Sequence, residues 1–271
     1  MKHELRLFFV ALQFLTRVPV PAWVGFQPAW LQACLRHFPL VGALVGAWAA
    51  AVLWVAAPWW PPAVAAVLSV IATLWLTGAF HEDGLADTCD ALGGQVGRER
   101  ALQIMKDSRI GTYGAAALVL ALALKVALLS ALLSSHADPG VALAWAASAL
   151  VWSHAASRAA PVWLVWTLPY AGDAEHAKAK PLAMQVAGSG LGVALAWVVG
   201  LSLAALALQP RLGPDVRLAL PLAAAACVLA AGLCTRWLRR RLGGFTGDTL
   251  GATQQIAELA ALLAWAAVAG A

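Results

Sequence analysis

The chain has 271 residues, of which 62% are hydrophobic and only 11% charged, and its mean hydropathy is +0.78. A soluble domain ordinarily has about a quarter of its residues charged, so one large core shielded from water is excluded and a polytopic membrane protein is expected. The formal net charge of +5 does not indicate a nucleic-acid partner, because the basic residues are scattered over short loops between apolar runs.

In chain order, the N-terminal MKHELRLFFVALQFLTRVPVP has only a superficial likeness to a signal peptide. Gln13, Thr16 and Arg17 interrupt its apolar stretch and no small-residue cleavage site follows. An interfacial amphipathic helix ending before Pro19 and Pro21 fits better. Apolar runs then predict about seven spans, at 38–57, 63–80, 113–133, 141–160, 183–208, 217–235 and 250–270, each near the ~20 residues a bilayer requires. The expected fold is therefore an all-α polytopic membrane helix bundle, a single domain over residues 1–271. The stretch after Pro161, VWLVWTLPY, is too short to cross alone. It could extend the fourth span, lie in the interface or dip in as a re-entrant segment. Cys34, Cys89, Cys227 and Cys234 form no C-x-x-C pair and no zinc spacing, and read as reduced or buried thiols.

With the N-terminus inside, almost all Lys and Arg fall in inner segments, while the outer loops hold only Arg211 and Arg217 and Lys125 lies within a span. This bias predicts N-terminus in and C-terminus out, with every polar cluster on the cytoplasmic face. The uncharged outer turn PWWPP suits an aromatic belt at the lipid interface.

The most informative stretch is HEDGLADTCD. Asp83, Asp87 and Asp90 are spaced i, i+4, i+7, and at about 100° per residue they fall within roughly 60° of one another on a helix. Three carboxylates on one face repel unless a cation neutralises them, and oxygen ligands without cysteines select a hard ion, Mg²⁺ before Mn²⁺ or Ca²⁺. A solvated acidic helix face is the plainer alternative, but ionisable groups beside a span are costly and usually functional. Glu82 points about 100° from Asp83 and is a weaker ligand candidate. Asp107 is the fourth carboxylate expected at the metal, next to Lys106 and Arg109, which could bind phosphate or simply pair with it. His81 is a candidate to orient a carboxylate or to act as a base.

Further along, His154 and Arg158 share a helix face, and Arg158 requires a partner, for which a substrate phosphate or a cluster aspartate would serve. Lys178 and Lys180 lie in the loop DAEHAKAKP. Arg236, Arg239 and Arg240 also share a face, either for phosphate clamping or for cytoplasmic anchoring. In GGFTGDT, Gly244, Thr246 and Gly247 could present backbone N–H groups to an anion, and Asp248 could bind metal or cap the next helix. The lysine of a P-loop is missing.

HEDGLADTCD, IMKDSRIGTYG, RAAPVWL and GGFTGDTLGATQQIAE, together with FLTRVPVP near the N-terminus, resemble the cobalamin synthase family, the adenosylcobinamide-GDP ribazoletransferases. The motifs occur in family order over nearly the whole chain. The resemblance implies an integral membrane, Mg²⁺-dependent transferase that joins adenosylcobinamide-GDP to α-ribazole or its 5′-phosphate with release of GMP. It carries over to Asp83, Asp87, Asp90, Asp107 and Asp248. Ala91 stands where the family pattern has glycine, and Gln255 where glutamate is frequent. A CDP-alcohol phosphotransferase is the first rival, but Asp-Gly-Leu-Ala-Asp lacks that family's Ala-Arg and its earlier aspartate. A cation-coupled transporter is the second, although its site would lie near the bilayer midplane. Membrane lipid is the expected surrounding partner, and the sequence leaves monomer and homo-oligomer both open.

Overall fold

The computed structural model of the protein describes residues 2–172 and 187–269. Among them the chain is helical, apart from one parallel bridge between Tyr170 and Phe245. The loop with Lys178 and Lys180 lies outside the described residues. Helix α1 (Lys2–Leu15) buries Leu7, Val10, Ala11 and Leu15 and leaves the opposite side open, as an interfacial helix should. Then come α2 (Pro28–Ala33), a 3₁₀ turn (Cys34–His37), α3 (Phe38–Ala56), α4 (Pro62–Thr77), α5 (Phe80–Leu92), α6 (Arg98–Ile104), α7 (Thr112–Leu133) and α8 (Pro139–Ser157). After them come α9 (Ala159–Thr167), α10 (Gly188–Ala207), α11 (Gln209–Leu212), α12 (Val216–Arg241) and α13 (Gly247–Val268).

Each of the seven expected segments contains a helix. Four helical runs are long and apolar enough to cross a membrane, namely Pro28–Ala56, Thr112–Leu133, Gly188–Ala207 and Val216–Arg241. A fifth, α4 with α5, is bent by 89° at its break. The seven spans are thus not reached by apolarity, and the physical reason lies in α8 and α13. The first carries Ser153, His154 and Ser157, the second Thr253, Gln254, Gln255 and Glu258, all buried. These two helices face protein on most sides, where polar side chains find partners that lipid does not supply. The stretch after Pro161 belongs to a separate helix, α9, which starts directly after Arg158.

Small residues set the closest crossings. On α3, a Cβ on Gly46 would stand 2.7 Å from the Leu150 carbonyl oxygen, and one on Gly42 would collide with the His154 carbonyl. The spacing Gly42-x-x-x-Gly46 therefore lets the α3 and α8 backbones touch, the packing that replaces hydrophobic drive inside a bilayer. A core of Trp145, Trp152 and Trp265 with Leu53, Leu129 and Leu150 fills the middle of the bundle.

The bend that creates α5 has a local cause. Gly78 and Ala79 are both left-handed, at φ 69° and 57°, which ends α4 and turns the chain aside. Arg17 occupies the space beside Gly78, its Nε 2.7 Å from where a Cβ would lie. The Arg17 backbone N–H also donates to the Leu76 carbonyl at 2.8 Å, satisfying a group that the helix end leaves open. The N-terminal FLTR segment thereby locks the corner from which the aspartate helix departs.

Candidate active site

All three aspartates of HEDGLADTCD lie on α5 as their spacing predicts. Asp83 is exposed and Asp87 and Asp90 are half-buried, whereas His81, Glu82, Leu85, Ala86 and Thr88 face inward. Two glycines press α5 onto the start of α13. A Cβ on Gly84 would lie 2.6 Å from the Asp248 carbonyl oxygen, and one on Gly251 would lie 3.2 Å from the His81 Cα. The backbone of Asp248 is therefore held against the α5 turn that begins with Asp83 and ends with Asp87.

Asp90 has a defined structural task. Its Oδ2 accepts the Gly111 N–H at 2.7 Å and its Oδ1 the Gly114 N–H at 2.8 Å. These are first-turn donors of α7, so the carboxylate caps that helix from outside and complements its dipole. A carboxylate has about four lone-pair positions, so a cation can still be accepted. Asp90→Ala is expected to cost about 1–2 kcal/mol of stability, read as a lower unfolding midpoint in detergent. Asp90→Asn, which keeps one acceptor oxygen, should lose less.

Asp107 meets Arg109, whose Nη2 lies 2.6 Å from Oδ2 and whose Nε lies 3.0 Å from Oδ1. These hydrogen bonds hold the Asp107 carboxyl below its ordinary 3.8, at about 2. The pair is thus complete above the ordinary value and is lost only as pH falls through about 2. The expected pairing of Asp107 with Arg109 is thus formed in this structure. Lys106 and Arg109 are exposed at the same end of the bundle, as are Arg236, Arg239 and Arg240.

Two other arginines staple this end together through backbone carbonyls. Arg98 donates to the carbonyls of Leu242 and Ala171, both at 2.8 Å. Arg241 donates to those of Leu92 at 3.1 Å and Gly94 at 2.9 Å, capping the C-terminus of α5. Neither arginine is distinguished in the sequence from its neighbours.

The GGFTGDT loop is pinned by Phe245, whose N–H donates to the Pro169 carbonyl at 3.0 Å and whose carbonyl accepts the Ala171 N–H at 2.8 Å. Gly244 is glycine because a Cβ would collide with the Pro169 carbonyl. Thr246 caps α13 in a reciprocal box with Thr249, so its hydroxyl serves the helix. Gly247 is exposed, has open space around it and begins the helix.

Behind α5 lies a buried polar network that sequence reasoning did not assemble. Glu258 on α13 pairs with Lys125 on α7 at 2.8 Å and with His154 Nδ1 at 3.1 Å. Arg158 donates to the His154 carbonyl at 2.8 Å and stands 4.0 Å from Glu258. Arg158, expected to meet a substrate phosphate or a cluster aspartate, is thus 2% exposed and partnered inside the bundle. His81, at 4% exposure, sits within electrostatic reach of Arg158, Glu258 and Lys125. The missed signal was present, since Lys125 and Glu258 are opposite charges inside apolar segments, where ionisable groups require partners.

The carboxylates can be tested against a hard divalent cation. Among the described residues no three His, Cys, Asp or Glu side chains converge closely enough to hold a metal. The donors are nevertheless all oxygen, and Asp83 and Asp87 share an accessible helix face. Mg²⁺ ordinarily needs only one or two carboxylates and takes its other ligands from water and substrate phosphate. An open two-carboxylate site of this kind fits.

Comparison with known proteins is decisive for kinship. A family model described as cobalamin-5-phosphate synthase matches residues 7–266. An adenosylcobinamide-GDP ribazoletransferase of Leptothrix cholodnii is 59% identical over 266 residues, spanning 98% of this chain and 96% of the relative. A protein of the same name from Polaromonas naphthalenivorans is 47% identical over 276 residues, covering 96% of this chain and 97% of its own. One from Shewanella piezotolerans is 43% identical over 263 residues, covering 97% and 95%. No solved structure matches the chain.

Proposed function

Because the chain belongs to the cobalamin-5-phosphate synthase family, we propose that this transferase of cobalamin synthesis joins adenosylcobinamide-GDP to α-ribazole, or to α-ribazole 5′-phosphate. The products are adenosylcobalamin, or its 5′-phosphate, and GMP. The observation that carries the reading is the aspartate helix held across the start of α13 at one end of an apolar bundle. Asp83 is exposed there and Asp87 half-buried, and Arg241 brings the basic end of α12 to the C-terminus of α5. We place this end at the cytoplasmic face of the inner membrane, on the strength of the basic residues gathered around it. Neither rival, lipid synthase or transporter, accounts for a family match over nearly the whole chain.

In the proposed reaction the ribazole 3′-hydroxyl oxygen forms a bond to the phosphorus nearest the cobinamide. The bond from that phosphorus to the GMP oxygen breaks, and the electron pair leaves with GMP. Mg²⁺, when bound, would offset negative charge on the diphosphate and on the departing GMP. Asp83 and Asp87 would hold it, with Asp90 and Asp107 able to contribute an oxygen. Lys106, Arg109 and Arg236 would attract and orient phosphate oxygens, and the Gly247 backbone N–H at the start of α13 would donate to another anionic oxygen. His81 and Arg158 would act from behind, holding α5 and α13 in place. The hydroxyl proton would pass to an α5 carboxylate or to water, since the buried His81 imidazole is screened from the exposed face.

The test is turnover by the purified full chain in detergent. Adenosylcobinamide-GDP with α-ribazole should yield GMP and adenosylcobalamin in equal amounts, and neither substrate alone should release GMP. Failure to form the corrinoid product, with CMP released instead from a CDP-alcohol and a second alcohol, would replace this reading with the lipid-synthase one.

A further inference from the structure

Helix α5 carries the aspartates and is joined to its neighbours through bends at both ends. It enters through Gly78 and Ala79, both left-handed, after the 89° turn from α4, and it leaves through Gly93 and Gly94. A helix joined by such corners takes its rotational setting from lateral contacts. Two of these are the Asp90 carboxylate on the α7 N–H groups and the Gly84 approach to Asp248. Another is Glu82, which is 8% exposed. Its Oε1 accepts from Gln255 Nε2 at 3.0 Å and lies 3.9 Å from Lys125 Nζ.

Gln255 is itself held on both sides of its amide. Its Oε1 accepts from Lys125 Nζ at 3.2 Å, and its Nε2 also donates to Gln254 Oε1 at 2.9 Å. Gln254 in turn donates to Glu258 Oε2 at 2.6 Å and to Ser157 Oγ at 2.9 Å. The anchor point is therefore held from several sides, and a low-dielectric setting strengthens each of these bonds. Glu82 and Asp83 are adjacent and point about 100° apart. Drawing Glu82 into the network turns Asp83 toward the open face.

We propose that Glu82 is a positioning residue for the transfer reaction: anchored on Gln255 and Lys125, it sets the rotation of α5 and hence the direction in which Asp83 and Asp87 present their carboxylates. The proposal rests on α5 being the catalytic helix, but its first test does not. In a full-length chain carrying Cys89→Ala, Asp83→Cys is labelled in detergent with a membrane-impermeant maleimide, and the rate is compared with and without Glu82→Ala. Labelling several-fold slower in the Glu82→Ala chain is expected, while Glu82→Gln, which keeps the acceptor oxygen, should retain the original rate.

In chains with Asp83 intact, Glu82→Ala should lower kcat about tenfold or more with KM for adenosylcobinamide-GDP within about twofold. Glu82→Gln should restore most of that loss. Unchanged labelling of residue 83, or glutamine as damaging as alanine in kcat, would overturn the proposal. Should Glu82→Ala fail to fold, Gln255→Met breaks the same bond from α13 and is read in the same two ways. A rotation detected by labelling in a protein whose unaltered form releases no GMP would uphold the anchoring and sink only the assigned reaction.

Discussion

Replacing Asp83 and Asp87 together by asparagine is expected to lower GMP release by about a thousandfold or more, with the protein still folded. Both side chains lie on one face of α5, Asp83 exposed and Asp87 half-buried, and their isosteric replacement removes charge while keeping side-chain shape. At an exposed position such as Asp83, a substitution ordinarily changes stability by only about 0.5 kcal/mol in either direction. A solvated acidic face with no other task would therefore show a nearly normal midpoint and nearly normal turnover. A catalytic face separates the two readouts: the unfolding midpoint stays and turnover collapses. Turnover within a few-fold of the unaltered protein would remove α5 from the chemistry.

The second large effect concerns the buried network. Glu258→Gln leaves Lys125 and Arg158 facing Glu82 alone, and Lys125→Met leaves Glu258 and Glu82 facing Arg158 alone. Each single change strands a charge in the bundle interior, which typically costs about 3–5 kcal/mol. For a chain of this length that corresponds to an unfolding midpoint lower by roughly 10 °C. Removing both partners of the 2.8 Å pair keeps the remaining charges balanced, so Lys125→Met with Glu258→Gln should lose much less than the two single effects added. Additive losses would show that the two side chains do not act as a pair. The measurement is thermal unfolding of the four proteins in one detergent.

Much of the architecture is legible in the sequence because a bilayer demands long apolar helices, and the expected segments fall within a few residues of α3, α4, α7 and α8. Helix α12 is the exception, continuing to Arg241 where the expected span ends at 235. The corner at Gly78–Ala79 is not legible. A lone glycine before an alanine carries no strong turn signal, and Arg17, which packs beside Gly78 and bonds the Leu76 carbonyl, comes from a distant segment. The acidic spacing of α5 translates directly into one helix face, since helical periodicity is a local property. The partners of Asp90 are settled by tertiary contact, whereas Asp107 meets Arg109 only two residues away; the staple role of Arg98 and Arg241 is also tertiary, because their targets are backbone carbonyls with no side-chain signature.

Glu82 illustrates the boundary between what sequence carries and what structure adds. Its direction, about 100° from Asp83, already sets it apart from the ligand face. What it points at depends on Gln255, Lys125 and Glu258, which come from two helices far along the chain. Gln255 stands where the resemblance to the cobalamin synthase family leads one to expect glutamate. In this chain its amide can donate to Glu82 and accept from Lys125 at once, which a carboxylate could not do.

If the carboxylates of α5 work through a divalent cation on the diphosphate, the reaction must stop when that cation is removed. The most direct measurement is GMP release from adenosylcobinamide-GDP and α-ribazole, followed on one preparation of the detergent-solubilised protein before EDTA, in excess EDTA, and after Mg²⁺ is restored. Loss to background in EDTA and full recovery with Mg²⁺ are the expected results. Release that continues undiminished in EDTA would contradict a metal-held diphosphate.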